Sequence, residues 1–314
     1  MSDLEFVPDY YSKWDIDHFS PSQDSKPLDN WFYEYCVNTQ AWRRNKKPNP
    51  NMKAGNSVQG DTDRIITTQD GSEVTLEPFG LGAWIFNNYT EKQAIESAVQ
   101  NFKEQCILYD WQDKDKVHAD EVVERIPLCI KNSIKAFLEF GVKKLTNLTT
   151  EKYVDYKHDN IDVTTIGRMD VGSDTHVIEF KTRWFSTVKN KKGFGFRNKS
   201  VPNPEKDQPL YSHCQQVAFY NKATNLIPVI IYASGSKEDA YAVFTPENCE
   251  SLRDIGLSKF ITHSRSIQLA RQNLLKVSDD PEVIAAHIQP DFDHYMWRDY
   301  KPDELEEVKK LWKM

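Results

Sequence analysis

Apolar residues recur with a helical period between Ala119 and Phe140, where Ile126, Ile130, Ile134, Phe137 and Leu138 form one stripe and Gly141 marks a stop. Pro127 interrupts the pattern, and because proline is tolerated only in the first turn of a helix, the stretch before it is predicted to be a separate turn. A second helix is predicted from the Thr90 cap to about Tyr109. Beyond Gly141 the period shortens to two, predicting strands over 151–157, 161–171 and 177–182. A helix over 210–224 follows, then the apolar run PVIIYA at 228–233, suited to a buried central strand, with 240–244 as its partner. Residues 247–275 read as largely helical. This order predicts an α/β (α+β) fold, a central mixed β-sheet flanked by helices.

The flanks are less periodic. Residues 45–60 read as a polar loop, 64–76 as a hairpin around Asp70-Gly71, and Trp31, Phe32, Tyr33 and Tyr35 as a segment docked on the main body. The tail carries Trp297, Tyr300 and Trp312, too aromatic for a disordered end, and is expected to dock. Three regions result: 1–110 packing on the core, the core at 111–278, and the tail at 279–314.

Composition narrows the class. No run approaches the 18 or so apolar residues of a membrane span, and the N-terminus lacks a signal peptide's regions, so an intracellular, cytoplasmic protein without a membrane partner is expected. Five scattered cysteines without CxxC spacing argue against a disulfide scaffold, a zinc ribbon or an iron–sulfur cluster. A net charge of −7 argues against a protein that coats nucleic acid non-specifically. Local charge differs: 42–47 is basic, and 189–199 (KNKKGFGFRNK) sets Phe194 and Phe196 among Lys189, Lys191, Lys192, Arg197 and Lys199. A charge run is most often a solvated loop. Aromatic rings among phosphate-pairing cations are also what a single-strand channel needs.

The chemistry concentrates in residues 167–183, GRMDVGSDTHVIEFKTR. Strand alternation puts Glu179 and Lys181 on one face and Phe180 on the other, and a turn at Gly172-Ser173-Asp174 brings Asp170 alongside Glu179. Two carboxylates and an ammonium on one sheet face suit phosphodiester hydrolysis with a divalent metal, which neutralises phosphate charge and activates a water. Further on, Gln216 and Tyr220 are four apart and share a helix face. Taken alone, that pair reads as a surface amide and a core ring.

The ordered set Asp170, Glu179-Phe180-Lys181, Gln216 and Tyr220 resembles the PD-(D/E)XK nuclease superfamily, and within it the RecB-like exonucleases, including the mitochondrial genome maintenance exonucleases and related phage exonucleases. The resemblance covers roughly residues 119–275 and implies a restriction-endonuclease-like core. It implies that Asp170 and Glu179, with the Phe180 carbonyl, hold Mg²⁺ or Mn²⁺, that Lys181 orients the attacking water, and that Gln216 and Tyr220 position the scissile strand. Arg183 and Trp184 would contact phosphate and base. Many RecB-like members carry a further metal-binding histidine on the helix before the first strand; here IPLCIKNSIKAFLEF has none, and Glu124 is the expected substitute, ahead of Glu121 and His118. The implied function is a metal-dependent DNA exonuclease acting at single-stranded or frayed ends, in DNA degradation, replication or recombination. A structure-specific or restriction-type endonuclease and a non-catalytic nucleic-acid-binding protein are the alternatives.

Overall fold

The computed structural model describes residues 7–38, 49–62, 64–67, 73–108, 111, 113–190 and 193–314. The helices are α1 (Asp9–Ser12), α2 (Leu28–Phe32), α3 (Pro50–Gln59), α4 (Gly80–Phe86), α5 (Glu91–Ile107), α6 (Asp113–Phe140), α7 (Tyr211–Thr224), α8 (Asp254–Leu275), α9 (Pro281–Ala285) and α10 (Pro302–Leu311). The strands are β1 (Arg64–Thr67), β2 (Glu73–Leu76), β3 (Thr149–Tyr156), β4 (Thr165–Gly172), β5 (His176–Thr182), β6 (Phe185–Asn190), β7 (Gly193–Asn198), β8 (Ile227–Ala233) and β9 (Tyr241–Phe244). Among the described residues no helix is long and apolar enough to cross a membrane.

A five-stranded mixed sheet in the order β3-β4-β5-β8-β9 carries the fold. Only β5 and β8 run parallel; the crossover between them is α7. Strand alternation divides the sheet into two faces. Ile178, Phe180, Val229, Ile231 and Ala233 pack with Ile126, Ile130, Ile134 and Phe137 of α6 on one face. Val177, Ile230 and Tyr232 pack with Val217, Phe219 and Tyr220 of α7 on the other. Burying both faces of β5 and β8 explains why PVIIYA is apolar throughout.

Three sequence expectations change. The stretch before Pro127 is no separate turn: α6 runs unbroken through it. The proline forfeits one N–H bond, and buried Val122, Ile126, Cys129 and Ile130 hold the helix together on both sides. The stripe itself is as read, except that Leu138 is exposed. Residues 50–59 of the expected polar loop form α3, with Asn49 Oδ1 accepting from Met52 N–H at 2.9 Å, Pro50 in the first turn, and Gly60 at φ +73° ending it. Ala54 and Val58 turn one side of α3 inward, a burial its polar residues conceal. Residues 189–190 and 193–198 of the basic segment belong to an antiparallel ribbon, β6–β7, rather than to a loop, while Lys191 and Lys192 lie outside the described residues.

The Thr90 cap is present as a capping box with Gln93. β1 and β2 pair antiparallel, while the expected Asp70-Gly71 turn lies outside the described residues, as do residues 42–47. The aromatic tail docks: Trp297 is buried, its Nε1–H donates to Asp29 Oδ2 at 3.1 Å, and its ring meets Tyr33. The N-terminal segment is anchored by buried Arg271 of α8, whose guanidinium reaches the Asp24 carboxylate, the Gln23 and Lys26 carbonyls and the face of Trp31.

Candidate active site

β4 and β5 form the antiparallel hairpin expected, and the register Val171↔Ile178 and Gly172↔Val177 places Asp170 opposite Glu179. The backbone ladder stops there. In its place Asp170 Oδ2 accepts the Phe180 N–H at 2.8 Å, so the side chain of one strand continues the pairing of the next. This fixes the Asp170 carboxylate against β5.

Glu179 is wholly buried. Its carboxylate is paired with the Lys181 ammonium, and Oε2 has no hydrogen-bond partner among the described residues. Burial pushes the Glu179 carboxyl well above the ordinary carboxylate range, the Asp170 charge pushes the same way, and Lys181 pulls it back. For Lys181 burial opposes the charge, but Glu179 and Asp170 outweigh it and raise the ammonium. A buried carboxylate with an unbonded oxygen is costly to a fold, which is the usual mark of a functional group.

Two residues the sequence reading missed join this group. Glu151 of β3 stands across β4 from Asp170, since Thr150↔Val171 and Lys152↔Met169 pair on either side of it. It adds to the negative field on Glu179, and Arg168 Nε lies 2.5 Å from its Oε2. Its backbone has φ +53°, unusual for a non-glycine strand residue. Opposite it β4 changes phase: Gly167 and Met169 face α7, whereas Val171 faces α6. Gln59, the last residue of α3, donates its side-chain amide to Asp170 Oδ1 at 3.0 Å and Glu151 Oε1 at 2.9 Å. Glu151 was within reach of the sequence, which needed only the β3–β4 register. Nothing there pointed to Gln59, because α3 reads as loop.

Glu124, the expected substitute ligand, is exposed on α6; the carboxylates acting on Glu179 are instead Asp170 and Glu151. His118 is committed elsewhere, with Nδ1 at Thr187 Oγ1 and Nε2 at Asn51 Oδ1, both 2.7 Å, and its ring stacked on Phe185. Burial pushes its pKa down to about 4. Tyr220 is buried, and its hydroxyl donates to the Arg168 carbonyl at 2.8 Å. Burial first, then the charges of Glu179 and Asp170, raise its phenol. Tyr220 therefore braces β4 two residues before Asp170. Gln216 lies half-buried one turn earlier on α7, while its neighbour Gln215 is buried with neither amide atom bonded among the described residues.

A cleft of about 340 Å³ opens beside Lys181, lined on one side by α3 and on the other by Phe180, Thr182, Arg183, Trp184 and Lys199. Trp184 is buried, with its Nε1–H on Thr182 Oγ1 at 2.8 Å, so it forms wall rather than a free stacking surface. The ribbon carries the other cations. Phe194 and Lys189 are exposed, Arg197 is exposed, and Phe196 packs edge-on against Phe185. Arg125 of α6 lies over both Phe185 and Phe196 and anchors the ribbon. Lys191 and Lys192 lie outside the described residues.

Carboxylate oxygens and a backbone carbonyl are the hard donors Mg²⁺ and Mn²⁺ favour, and Glu179 keeps an unbonded oxygen within the field of the Asp170 carboxylate, so the residues fit such an ion. Among the described residues no three His, Cys, Asp or Glu side chains converge tightly enough to enclose one. Mg²⁺ is commonly held by one or two carboxylates with waters and substrate phosphate completing the shell, which suits this arrangement.

No family model matches the chain, and no curated protein matches it. Solved structures similar to the chain include the following two. A candidate exonuclease from Eubacterium rectale superposes with a TM-score of 0.48 at 10% identity, covering 95% of this chain and 94% of its own. The protein SSO0001 superposes with a TM-score of 0.27 at 16% identity, covering 56% of this chain and 77% of its own. At these values neither bears on activity.

Proposed function

We propose that the chain is a metal-dependent nuclease of the PD-(D/E)XK kind that removes nucleotides from DNA ends. The observation that carries this reading is Glu179: a fully buried carboxylate facing Asp170, one oxygen unbonded, with the Lys181 ammonium alongside. Asp170, Glu179 and the Phe180 carbonyl would hold Mg²⁺ or Mn²⁺, with Glu151 in place of Glu124 as an outer carboxylate that acts on the site through its charge and the shared Gln59 amide. When bound, the ion supplies charge neutralisation at the phosphate and acidifies a water.

The chain's own residues do the rest. Lys181 orients the attacking water and steadies the charge that develops on the phosphate. Arg183 and Lys199, at the cleft, hold the flanking phosphates. Tyr220 and the Phe180 N–H keep Asp170 in place, and the φ +53° at Glu151 is strain of about 1–3 kcal/mol held beside the reacting centre. The ribbon β6–β7 would guide the strand onward.

The test is incubation with end-labelled linear single-stranded, linear duplex and circular DNA, with Mn²⁺ or with EDTA. Mn²⁺-dependent loss of linear but not circular DNA is expected. Cutting of circles makes the enzyme an endonuclease of the same fold, and no metal-dependent cleavage of any DNA overturns the reading.

A further inference from the structure

The cleft beside Lys181 has two unlike walls. Met52, Gly55, Asn56 and Gln59 are spaced i, i+3, i+4 and i+7 on α3, so they share one face, and that face looks over the cleft. Across it stand Lys181, Arg183 and Lys199. Among the described residues no carboxylate lines the space, so one wall is cationic and the other offers neutral amides and a thioether. Met52 is 51% exposed, and the Asn56 side chain is exposed without a hydrogen bond among the described residues.

The amide wall is held rigidly. Asn51 Nδ2 donates to the Phe185 carbonyl at 2.9 Å while its Oδ1 meets His118 Nε2, tying α3 to the ribbon and to α6. Gly55 lies so close to the end of β5 that a Cβ there would stand 3.1 Å from Thr182 Oγ1. Gln59 joins the same helix to Asp170 and Glu151. Gln59 and Lys181, which line the slot, thus connect it to the carboxylates.

From this we infer that the Met52–Asn56–Gln59 face of α3 and the Arg183–Lys199 wall form a binding slot for one unpaired nucleotide of the DNA substrate. This rests on the proposed nuclease reading and names the part of the substrate the site takes. The cations pair with backbone phosphate. The Asn56 amide can donate to and accept from a base edge, and the Met52 thioether packs on a base face. At about 340 Å³ the slot is near the small end of ligand pockets, on the order of 300–1,000 Å³, which suits a single nucleotide and not a base pair with both its strands.

The test is fluorescence anisotropy in Ca²⁺ with a labelled twelve-base single strand and a labelled blunt duplex of the same sequence (~12 bases keeps either probe within a ssDNA site size). The unmodified chain is expected to bind the single strand at least tenfold more tightly. Asn56→Asp, which sets a negative charge at the amide wall, should weaken single-strand binding at least tenfold, and Met52→Ala several-fold. Neither should alter Ca²⁺ affinity or the melting temperature, because both side chains are exposed. If both variants bind the single strand as the unmodified chain does, or if duplex binds as tightly as single strand, the slot is overturned while the nuclease reading stands. If the unmodified chain binds neither DNA, the nuclease reading falls with it.

Discussion

The amide of Gln59 donates to Asp170 Oδ1 at 3.0 Å, joining a helix from the N-terminal region to the carboxylate that pairs β4 with β5. The same amide holds Glu151, so two acidic side chains on neighbouring strands share one neutral clamp. Gln59→Ala removes the clamp and leaves every carboxylate in place. Cleavage at limiting Mg²⁺ should fall about tenfold, within the 10–100-fold usual for residues that orient metal ligands, and should recover at high Mg²⁺. A Mg²⁺ titration of initial rates reads this out; an unchanged titration curve removes Gln59 from the site.

Glu151 and Glu124 make opposing claims to be the further carboxylate that supports the metal site. Calorimetric titration with Mn²⁺ should show Glu151→Gln weakening binding about 10–100-fold, whereas Glu124→Gln, on the exposed side of α6, should leave it unaltered. The reverse pattern would restore the sequence-based assignment.

Gly167 permits the close approach of α7 to β4: a Cβ there would stand 2.7 Å from the Phe219 ring and 2.8 Å from the Tyr220 ring. Gly167→Ala should therefore destabilise the protein by about 1–3 kcal/mol as overpacking, and displace Tyr220 from the Arg168 carbonyl. Chemical denaturation measures the first effect. A stability equal to the unmodified chain's would mean that α7 yields freely.

Much of this fold was legible in the sequence, and for identifiable reasons. β5 and β8 announce themselves because both their faces are buried, and α6 because its stripe at Ile126, Ile130, Ile134 and Phe137 is regular. Asp170 beside Glu179 follows from a tight turn and a period of two. The register of β3, by contrast, depends on tertiary pairing, which left Glu151 unnoticed. α3 was hidden because Ala54 and Val58 are its few apolar residues and its amides mimic a loop. Trp184, expected to contact a base, shows that a motif's neighbour can be core: its ring is buried and its Nε1–H is taken up by Thr182. The nitrogens of His118 likewise serve α3 and the ribbon, a role no spacing reveals.

Burial also shapes the response to acid. His158 is buried, and burial together with the Arg265 charge pushes its pKa down to about 4, as burial does for His118. Both histidines take a proton more readily in the unfolded chain, at the ordinary 6.5. Their contribution is fully present above 6.5 and is lost as pH falls towards 4. Asp24 runs the other way: burial raises it to about 6 despite Arg271, so its contribution is present below 3.8 and is lost as pH rises through 6. His158 Nε2 has no hydrogen-bond partner among the described residues, which makes His158→Phe a mild change. The variant should lose less stability than the unmodified chain between pH 7 and pH 5, measured by urea denaturation. Equal losses would show that His158 is not held neutral.

The central claim is that Asp170, Glu179 and Lys181 carry out metal-dependent phosphodiester hydrolysis. Its most direct test is the rate of nucleotide release from an end-labelled linear single strand in Mn²⁺, for the unmodified chain and for Lys181→Ala. Steady Mn²⁺-dependent release by the unmodified chain is predicted, with a loss of at least about 100-fold in the variant, the scale of a positioned proton-transfer or charge-stabilising group. Equal rates from the two proteins would contradict the account.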